Sequence, residues 1–242
     1  MTEQYKKSLA ENFDKLYENI RQSGREVLVV AASKTVDAEV LNYAAENFGL
    51  TDIGENRVQE LLSKYDDINK DKLKIHFIGH LQKNKVKYIV GKVAMIHSLD
   101  SEALALEIEK QSAKMDVVTD VLIEVNIGAE ENKSGADASD VEELAKKVLT
   151  LPHLNLRGMM TIGPKCQSFD EYREYFDKTY DLFSKIFLDK QDEKGHNTDE
   201  YVLSMGMSDS YEAALASGAN VIRPGQCLFG ARVYPEKKEN KI

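Results

Sequence analysis

Short apolar runs alternate with amphipathic helical patterns along the chain, and this alternation constrains the fold more than any other feature of the sequence. The first run, VLVVAAS at 27–33, is rich in β-branched residues, as expected of a strand covered on both faces. Asp37 then begins a helical pattern through Val40, Leu41 and Ala44. Seven more runs follow, each with its own helical pattern: TDIG, KIHFIG, VAMIHS, VLIEVNI, LNLRGMMTIG, YVLSMG and NVIRPG.

The helical patterns between these runs predict helices of ordinary length. One helix starts at Val58, a second passes through Val86 and Ile89, and a third passes through Leu104 and Ile108. Three more are predicted over 137–149, 169–188 and 208–217, and a short helix closes the series. Strands separated by helices must be parallel, and eight of them leave no free edge when they close into a barrel. We therefore expect an α/β fold, a (β/α)8 TIM barrel.

The 242 residues suit a single barrel, since this fold often takes about 250 residues as one unit. No repeat or Pro/Gly-rich linker interrupts the series, so one domain is expected over 1–242. An extra N-terminal helix is also predicted, because apolar residues recur there at intervals of three or four and would share one face: Tyr5, Leu9, Phe13, Leu16 and Ile20.

Composition excludes several classes of protein. A chain with 42% hydrophobic and 30% charged residues can bury a substantial core, and a net charge of -9 opposes binding to nucleic acid or to an anionic membrane. No signal peptide and no run of about 18 apolar residues is present. The two cysteines, Cys166 and Cys227, show neither disulfide nor metal spacing. We expect a cytoplasmic protein with no metal site.

In a (β/α)8 barrel the site is built from the loops that follow the strands. Lys34 follows the first strand, where desolvation and nearby cations would lower the pKa of its amine and make it a nucleophile for an aldehyde. A solvated lysine at a helix start remains the alternative. The other residues just past the strands form a polar, Gly-rich ring: Glu55, Asn56, His80, Ser98, Asn126, Thr161, 204–208 and 223–226.

Two loops of this ring give the clearest indication of a ligand site. They are SMGMS (204–208) and RPG (223–225), which follow strands seven and eight. Loops at these two places frequently bind phosphate through backbone N–H groups, and glycine lets the backbone approach the ligand. Helix caps formed by Ser208 and Gly225 are the alternative. His76 and His97 are predicted to lie in strands, and Cys227 opens the last helix, where its thiol pKa could be lowered or the residue could simply pack.

Eight motifs in order resemble those of the pyridoxal phosphate homeostasis proteins of the YggS/PROSC type, which are related to the N-terminal barrel of alanine racemase. The motifs are VAASKT, IGENRVQE, HFIGHLQKNKVK, HSLD, LIEVN, GMMTIG, LSMGMSDSYEAAL and IRPGQCLFG, and they cover nearly the entire chain. The resemblance implies a barrel of pyridoxal 5'-phosphate (PLP) fold type III that carries PLP as a Schiff base on Lys34.

The resemblance also implies roles for other residues. Ser204 and the backbone near Gly225 and Gln226 would hold the phosphate, and Arg223 would face the pyridine nitrogen. Asn56, His80 and Met160 would line the ring. Two departures from the family pattern are Val36 and Asp37 where a proline is frequent, and Gly225, Gln226 and Cys227 where Gly-Ser-Thr is frequent. The second removes a hydroxyl group from the implied phosphate loop, whereas its backbone donors would remain.

Arg223 favours a carrier over an enzyme. A guanidinium keeps its protons, so the ring nitrogen beside it would stay neutral and be a weaker electron sink. The chain also ends about where the barrel closes, so no second domain would supply the second base of alanine racemase. We expect a PLP-binding protein of PLP homeostasis without catalytic residues, a monomer or weak dimer with apoenzymes as acceptors. An amino-acid racemase is the alternative, and a barrel that binds another phosphate is a third.

Overall fold

Eight parallel strands close into a barrel, which confirms the predicted architecture. The computed structural model describes residues 1–130, 134–188 and 201–230. Each strand pairs with the next along the chain, and the last pairs with the first. The strands are β1 (Leu28–Ala32), β2 (Asp52–Glu55), β3 (Lys74–Phe77), β4 (Met95–Leu99), β5 (Thr119–Val125), β6 (Leu154–Thr161), β7 (Val202–Ser204) and β8 (Val221–Ile222).

Helical segments connect the strands. They are α1 (Glu3–Gln22), α2 (Ala38–Phe48), α3 (Val58–Lys64), a 3-10 helix (Lys83–Tyr88), α4 (Glu102–Met115), α5 (Val141–Val148), α6 (Phe169–Phe183), a π-helical turn (Ser184–Leu188), α7 (Tyr211–Ala216) and α8 (Gln226–Phe229). No helix in the described ranges is long and apolar enough to cross a membrane.

Two of the predicted helices differ in type from the expectation. The segment through Val86 is a 3-10 helix, which suits the three-residue spacing between Val86 and Ile89, because side chains three apart lie on one line in that helix. The predicted helix at 169–188 changes to a π-helical turn from Ser184. The helices predicted at 137–149 and 208–217 begin later, at Val141 and Tyr211.

The extra N-terminal helix α1 is present and packs on the outside of the barrel. The side chain of Thr2 caps it by accepting the N–H of Tyr5, and its apolar stripe is buried as predicted. The ring of Phe13 stacks on that of Phe48 from α2, with centroids 4.9 Å apart. The hydroxyl of Tyr5 donates to the carbonyl of Phe229 at 3.0 Å. Helix α1 therefore ties the last described helix to the body.

Strand residues alternate between two separate packing regions. Val29 and Ala31 join the large core between barrel and helices, whereas Val30 packs with Ile78 and Val221. Because neighbouring side chains on a strand point to opposite faces, this second, smaller cluster lies inside the barrel. The inward positions nearer the strand ends are polar, and they build the site described below.

A bulge in β6 reverses the direction of its later side chains. Leu156 pairs with Val121, but Gly158 pairs with Leu122, so the register shifts by one residue at this point. Before the bulge Leu156 packs in the outer core, and after it Met159 does. Met160 therefore turns inward, where its strand neighbour is Ser204 of β7.

Gly158 is required for this bulge. Its φ is +138°, and a Cβ added there would lie 2.1 Å from the carbonyl oxygen of Val202. We expect Gly158→Ala to lower the free energy of unfolding by roughly 3 kcal/mol, since both the backbone conformation and the contact are unfavourable for a side chain. Urea denaturation measures this. Gly163→Ala is the control, because its nearest contact would be an ordinary 3.5 Å from Phe176; equal stability of the two variants would contradict the assignment.

Candidate functional site

Lys34 lies on a tight turn at the carboxyl end of β1. The turn is closed by a hydrogen bond from the N–H of Val36 to the carbonyl of Ser33 at 3.0 Å. Thr35, its third residue, has a φ of +64°, a conformation that non-glycine residues rarely adopt. Lys34 is half-buried in this turn. The structure thus places the predicted nucleophile at the mouth of the barrel.

The loops after β7 and β8 meet beside this turn. The hydroxyl oxygen of Ser208 accepts the N–H groups of Gly225 and Cys227, each at 3.1 Å. Gly225 also lies against the end of β1, where a Cβ would be 3.0 Å from the carbonyl oxygen of Ala32. The two loops predicted to bind phosphate are therefore adjacent to each other and to the segment that carries Lys34.

The alternative reading, helix caps formed by Ser208 and Gly225, holds for Gly225, which is the N-cap residue of α8, whereas Ser208 is not the N-cap residue of α7. The N-cap residue of α7 is Ser210, whose hydroxyl accepts the N–H of Met207 at 3.1 Å. A hydroxyl that accepts two N–H groups still has its own hydrogen to donate. Ser208 therefore keeps one hydroxyl hydrogen to donate, and it holds the backbone of Gly225 and Cys227 at one place.

A chain of buried hydrogen bonds crosses the interior of the barrel. Arg223 donates through Nη1 to Ser204 Oγ at 2.7 Å, and Ser204 Oγ lies 3.1 Å from His97 Nδ1. His97 Nε2 is 2.9 Å from His76 Nδ1, and His76 Nε2 is 2.8 Å from Asp52 Oδ1. All five side chains are buried. The chain connects the mouth of the barrel with the amino end of β2.

With both imidazoles neutral, the two ends of the chain fix the direction of every bond in it. Arg223 can only donate and the carboxylate of Asp52 can only accept. Ser204 therefore donates to His97, His97 donates to His76, and His76 donates to Asp52. Each group gives its one hydrogen to the next, so no member is left unpaired in the barrel interior.

Burial and these partners set the ionisation of the chain. Burial lowers the pKa of His97 well below its usual value, and the neighbouring His76 and Arg223 lower it further. Burial raises the pKa of Asp52, but hydrogen bonds from His76 and Thr51 outweigh it and hold the value below its usual range. Burial lowers the pKa of Arg223 to about 10, against the attraction of Glu124, so its guanidinium is charged at neutral pH.

Ser204, which the resemblance assigns to the phosphate, has its side chain inside the barrel. Its hydroxyl is fully buried and engaged with Arg223 and His97. Arg223 also donates through Nη2 to the carbonyl of Thr161 at 2.8 Å. Ser204 and Thr161 together hold the guanidinium in one orientation, and Ser208 is the hydroxyl that lies beside Gly225.

The other predicted site residues surround the same mouth. Asn56 follows β2, and its buried Oδ1 has no hydrogen-bond partner in the described part of the chain. Gly79 packs on it so closely that a Cβ would lie 2.2 Å from the carbonyl oxygen of Asn56. His80 is 58% exposed, with Nδ1 3.4 Å from a carboxylate oxygen of Asp100. Met160 is buried, and Gln226 is exposed.

Cys227 is a packing residue. Its side chain contacts the outer core, and burial raises the pKa of its thiol, so the lowered pKa considered for it is wrong. Neither cysteine forms a disulfide bond. No group of His, Cys, Asp or Glu within the described ranges could hold a metal ion.

Sequence reasoning missed the chain behind Arg223. His76 and His97 are strand residues as predicted, but they were given no role, although His76 stands at an inward position between the apolar outward residues Ile75 and Phe77. That alternation was the available signal, since an imidazole among the apolar residues of a strand must find a partner inside the barrel. Their partnership with Asp52 and Ser204 depends on strand register, which the sequence does not show.

Comparison with known proteins identifies the fold family. Residues 6–233 match the sequence profile of the alanine racemase N-terminal domain. The chain belongs to this family. A member from Aquifex aeolicus named pyridoxal phosphate homeostasis protein is 45% identical over 206 residues, covering 85% of this chain and 87% of the relative. The resemblance drawn from the eight motifs is therefore confirmed.

Other members of the family extend the likeness over the whole barrel. The Escherichia coli K12 protein of the same name is 34% identical over 236 residues, covering 95% of this chain and 97% of that protein. PipY of Synechococcus elongatus PCC7942, solved with PLP bound, superposes with a TM-score of 0.78 at 28% identity. The match spans 92% of this chain and all of PipY.

His97 should make stability depend on pH. The unfolded chain binds a proton at His97 below about pH 6.5, whereas the folded chain resists it, so stability is lost as the pH falls below that value. This pH-dependent contribution to the free energy of unfolding, up to about 1.4 kcal/mol per pH unit, should disappear in His97→Gln. Urea denaturation at pH 7.5 and 5.5 gives the change in the free energy of unfolding between the two pH values. The difference in this change between wild type and variant is the contribution of His97. Contributions from the buried carboxyls Glu55 and Glu124 are common to both proteins and cancel.

The control for this experiment is His80→Gln, because the exposed ring of His80 lies outside the chain of hydrogen bonds. It should keep the pH dependence of the wild type. If His97→Gln keeps that dependence as well, His97 is not the buried neutral imidazole described here.

Proposed function

We propose that this chain binds PLP covalently at Lys34 and acts in the homeostasis of that cofactor. The observation that carries the proposal is the meeting of three segments at one end of the barrel. The turn of Lys34 lies beside the loop in which the hydroxyl oxygen of Ser208 accepts the N–H groups of Gly225 and Cys227, and that loop follows the buried Arg223. An amine, a phosphate cradle and a cationic donor are what PLP requires.

The residues present fit the phosphate of PLP. Ser208 has a hydroxyl hydrogen to donate, and by accepting the N–H groups of Gly225 and Cys227 it holds the backbone around Gln226 at the same place. Gly225 lets this loop pack against the end of β1, where a Cβ would lie 3.0 Å from the carbonyl oxygen of Ala32. We assign the phosphate to Gly225, Gln226 and Ser208, and we assign the side chain of Ser204 to the support of Arg223.

The residues also fit the pyridine ring. A guanidinium carries five N–H groups, and the contacts of Arg223 to Ser204 and Thr161 use two of them. The buried Oδ1 of Asn56, which has no partner among the described residues, suits a polar group of the ring. Met160 would supply an apolar wall, and His80 lies at the rim. Arg223 would face the ring nitrogen, and Asn56 and Met160 would line the ring.

Arg223 argues for binding without substantial catalysis. Bound PLP supplies an aldehyde that forms a Schiff base with an amine, and a ring that withdraws electrons best when its nitrogen is protonated. Arg223 can only donate to that nitrogen, and the bonds to Ser204 and Thr161 prevent its guanidinium from turning away. The homeostasis proteins to which this chain is similar are named for a role in cofactor supply, which agrees. Amino-acid racemisation is the competing function.

A store of PLP would act where the enzymes of amino-acid metabolism work, and we place this protein in the cytoplasm with apoenzymes as the acceptors of the cofactor. Its two free thiols suit a reducing compartment. The reversible nature of a Schiff base would allow the cofactor to leave again. We propose one domain over 1–242 for this role, without nucleic acid or membrane as a partner.

Replacement of Lys34 tests the function. Lys34→Ala removes the amine, so the variant should lose the visible absorption band of the Schiff base and yield no PLP adduct after borohydride reduction. Mass spectrometry of the reduced protein and its peptides measures the adduct. Lys165→Ala, an exposed lysine on the neighbouring loop after β6, should be captured like the wild type. An adduct that persists in Lys34→Ala would assign the covalent site to another lysine.

Replacement of Ser208 tests the phosphate cradle separately. Ser208→Ala loses one hydrogen bond to a charged group, so the dissociation constant for PLP should rise about tenfold, or about 1.4 kcal/mol. Pyridoxal, which has the same ring and aldehyde without the phosphate, should bind the variant and the wild type equally. Ser8→Ala, on the surface of α1, is the control. Equal weakening of PLP and pyridoxal would show that Ser208 does not contact the phosphate.

A further inference from the structure

A buried lysine lies directly beneath the turn of Lys34. Lys64 is the last residue of α3, and only 8% of its surface is exposed. Its Nζ is 2.7 Å from Glu55 Oε1 and donates to the carbonyls of Ser33 at 2.8 Å and Val36 at 3.0 Å. An ammonium has three hydrogens, and these three contacts account for all of them.

Two carboxylates complete the attachment of this turn. The hydroxyl of Ser33 donates to Glu55, and the N–H of Thr35 donates to Glu60. Glu60 also lies 3.6 Å from Lys64 Nζ. The residues on either side of Lys34 are thus all bound to one buried cluster, which we call the turn anchor and define as Lys64, Glu55 and Glu60.

The turn needs such an anchor because its backbone is unfavourable. Thr35 is a β-branched residue with a φ of +64°, and such a conformation persists only where the surroundings enforce it. Lys64 binds the first and the last carbonyl of the turn, so it fixes both ends at once. Without this ammonium, the two carbonyls and Glu55 would lose their shared donor within the protein.

We propose that Lys64 is a positioning residue for covalent capture at Lys34, because it fixes the turn that presents the amine to the aldehyde of PLP. The inference rests on the proposed function and adds to it a second lysine that never bonds to the cofactor. Capture forms a C=N bond between Nζ of Lys34 and the aldehyde carbon and releases one water molecule. A group held in the reactive geometry reacts much faster than one that must search for it.

The phosphate cradle is built from other segments. Ser208, Gly225 and Cys227 come from the loops after β7 and β8, whereas the turn anchor comes from β2 and α3. Loss of Lys64 should therefore slow the capture of the aldehyde and leave the binding of phosphate and ring largely intact. A general loss of structure would weaken both.

The experiment uses Lys64→Met combined with Glu55→Gln, so that the fully buried carboxylate of Glu55 is not left without its cation. Burial already raises the pKa of Glu55, against the opposing effect of Lys64, which shows how poorly this place tolerates a lone charge. Two quantities are measured in the full chain. The first is the dissociation constant for pyridoxine 5'-phosphate, which has an alcohol in place of the aldehyde. The second is the rate of appearance of the Schiff base band with PLP.

We expect the double variant to bind pyridoxine 5'-phosphate within about twofold of the wild type and to capture PLP at least about tenfold more slowly. The control is Lys70→Met, which removes another lysine that donates to two carbonyls, those of Tyr65 at 2.8 Å and Ile68 at 3.3 Å. It lies outside the turn anchor and should change neither quantity.

A second variant covers the case in which the double variant does not fold. Glu60→Ala removes the acceptor of the Thr35 N–H from the rim of the cluster, where its side chain is 23% exposed. It should slow capture about threefold without change in the binding of pyridoxine 5'-phosphate.

Two results would overturn the inference: an unchanged rate of capture in the folded variants, or an equal loss of capture and of pyridoxine 5'-phosphate binding. Both leave the proposed function standing, because the wild type still forms the Schiff base. A wild-type protein that forms no Schiff base would instead overturn the proposed function.

Discussion

The buried guanidinium of Arg223 is the constraint on which the rest of the barrel interior depends. A charge inside a barrel needs partners for its donors, and Thr161 and the chain that runs from Ser204 to Asp52 accept two of the five N–H groups of Arg223. The carboxylate at the far end has the opposite charge, and two imidazoles and a hydroxyl connect the two charges through hydrogen bonds. Inward positions of β2, β3, β4 and β7 are therefore polar, although apolar residues usually fill such barrels.

The turn of Lys34, at the other side of the mouth, also rests on a buried charge, that of Lys64. The partners of this charge come from nearby segments. Here one ammonium is surrounded by two carboxylates and two carbonyls, with partners drawn from β2 and α3. Neither cluster relies on surface ion pairs, which contribute little to stability. Strand residues and the end of α3 thus hold both Arg223 and the turn of Lys34 in place. A ligand would therefore meet groups that are already positioned.

The order of strands and helices follows from the sequence because hydrophobic periodicity records which faces are covered. The positions of Lys34, Gly225 and Arg223 follow too, since the fold assigns function to strand ends. The side chains that pair across the barrel do not follow from the sequence. The role of Ser204, the bulge at Gly158 that turns Met160 inward, and the burial of Lys64 beneath Lys34 all depend on register and on contacts between distant segments. A lysine at the end of α3 reads as solvated until those contacts are known.

A protein that stores a cofactor must bind it and also release it, and the separation of the two clusters serves both needs. The proposed phosphate cradle would determine affinity through contacts that do not involve the aldehyde. A positioned amine lowers the barrier in both directions, since condensation and hydrolysis share one transition state. The turn anchor would therefore speed exchange of the cofactor without tightening its binding. Arg223, placed by our proposal against the ring nitrogen, would keep that nitrogen unprotonated and restrain side reactions of bound amino acids. The proposed site would thus favour exchange over turnover.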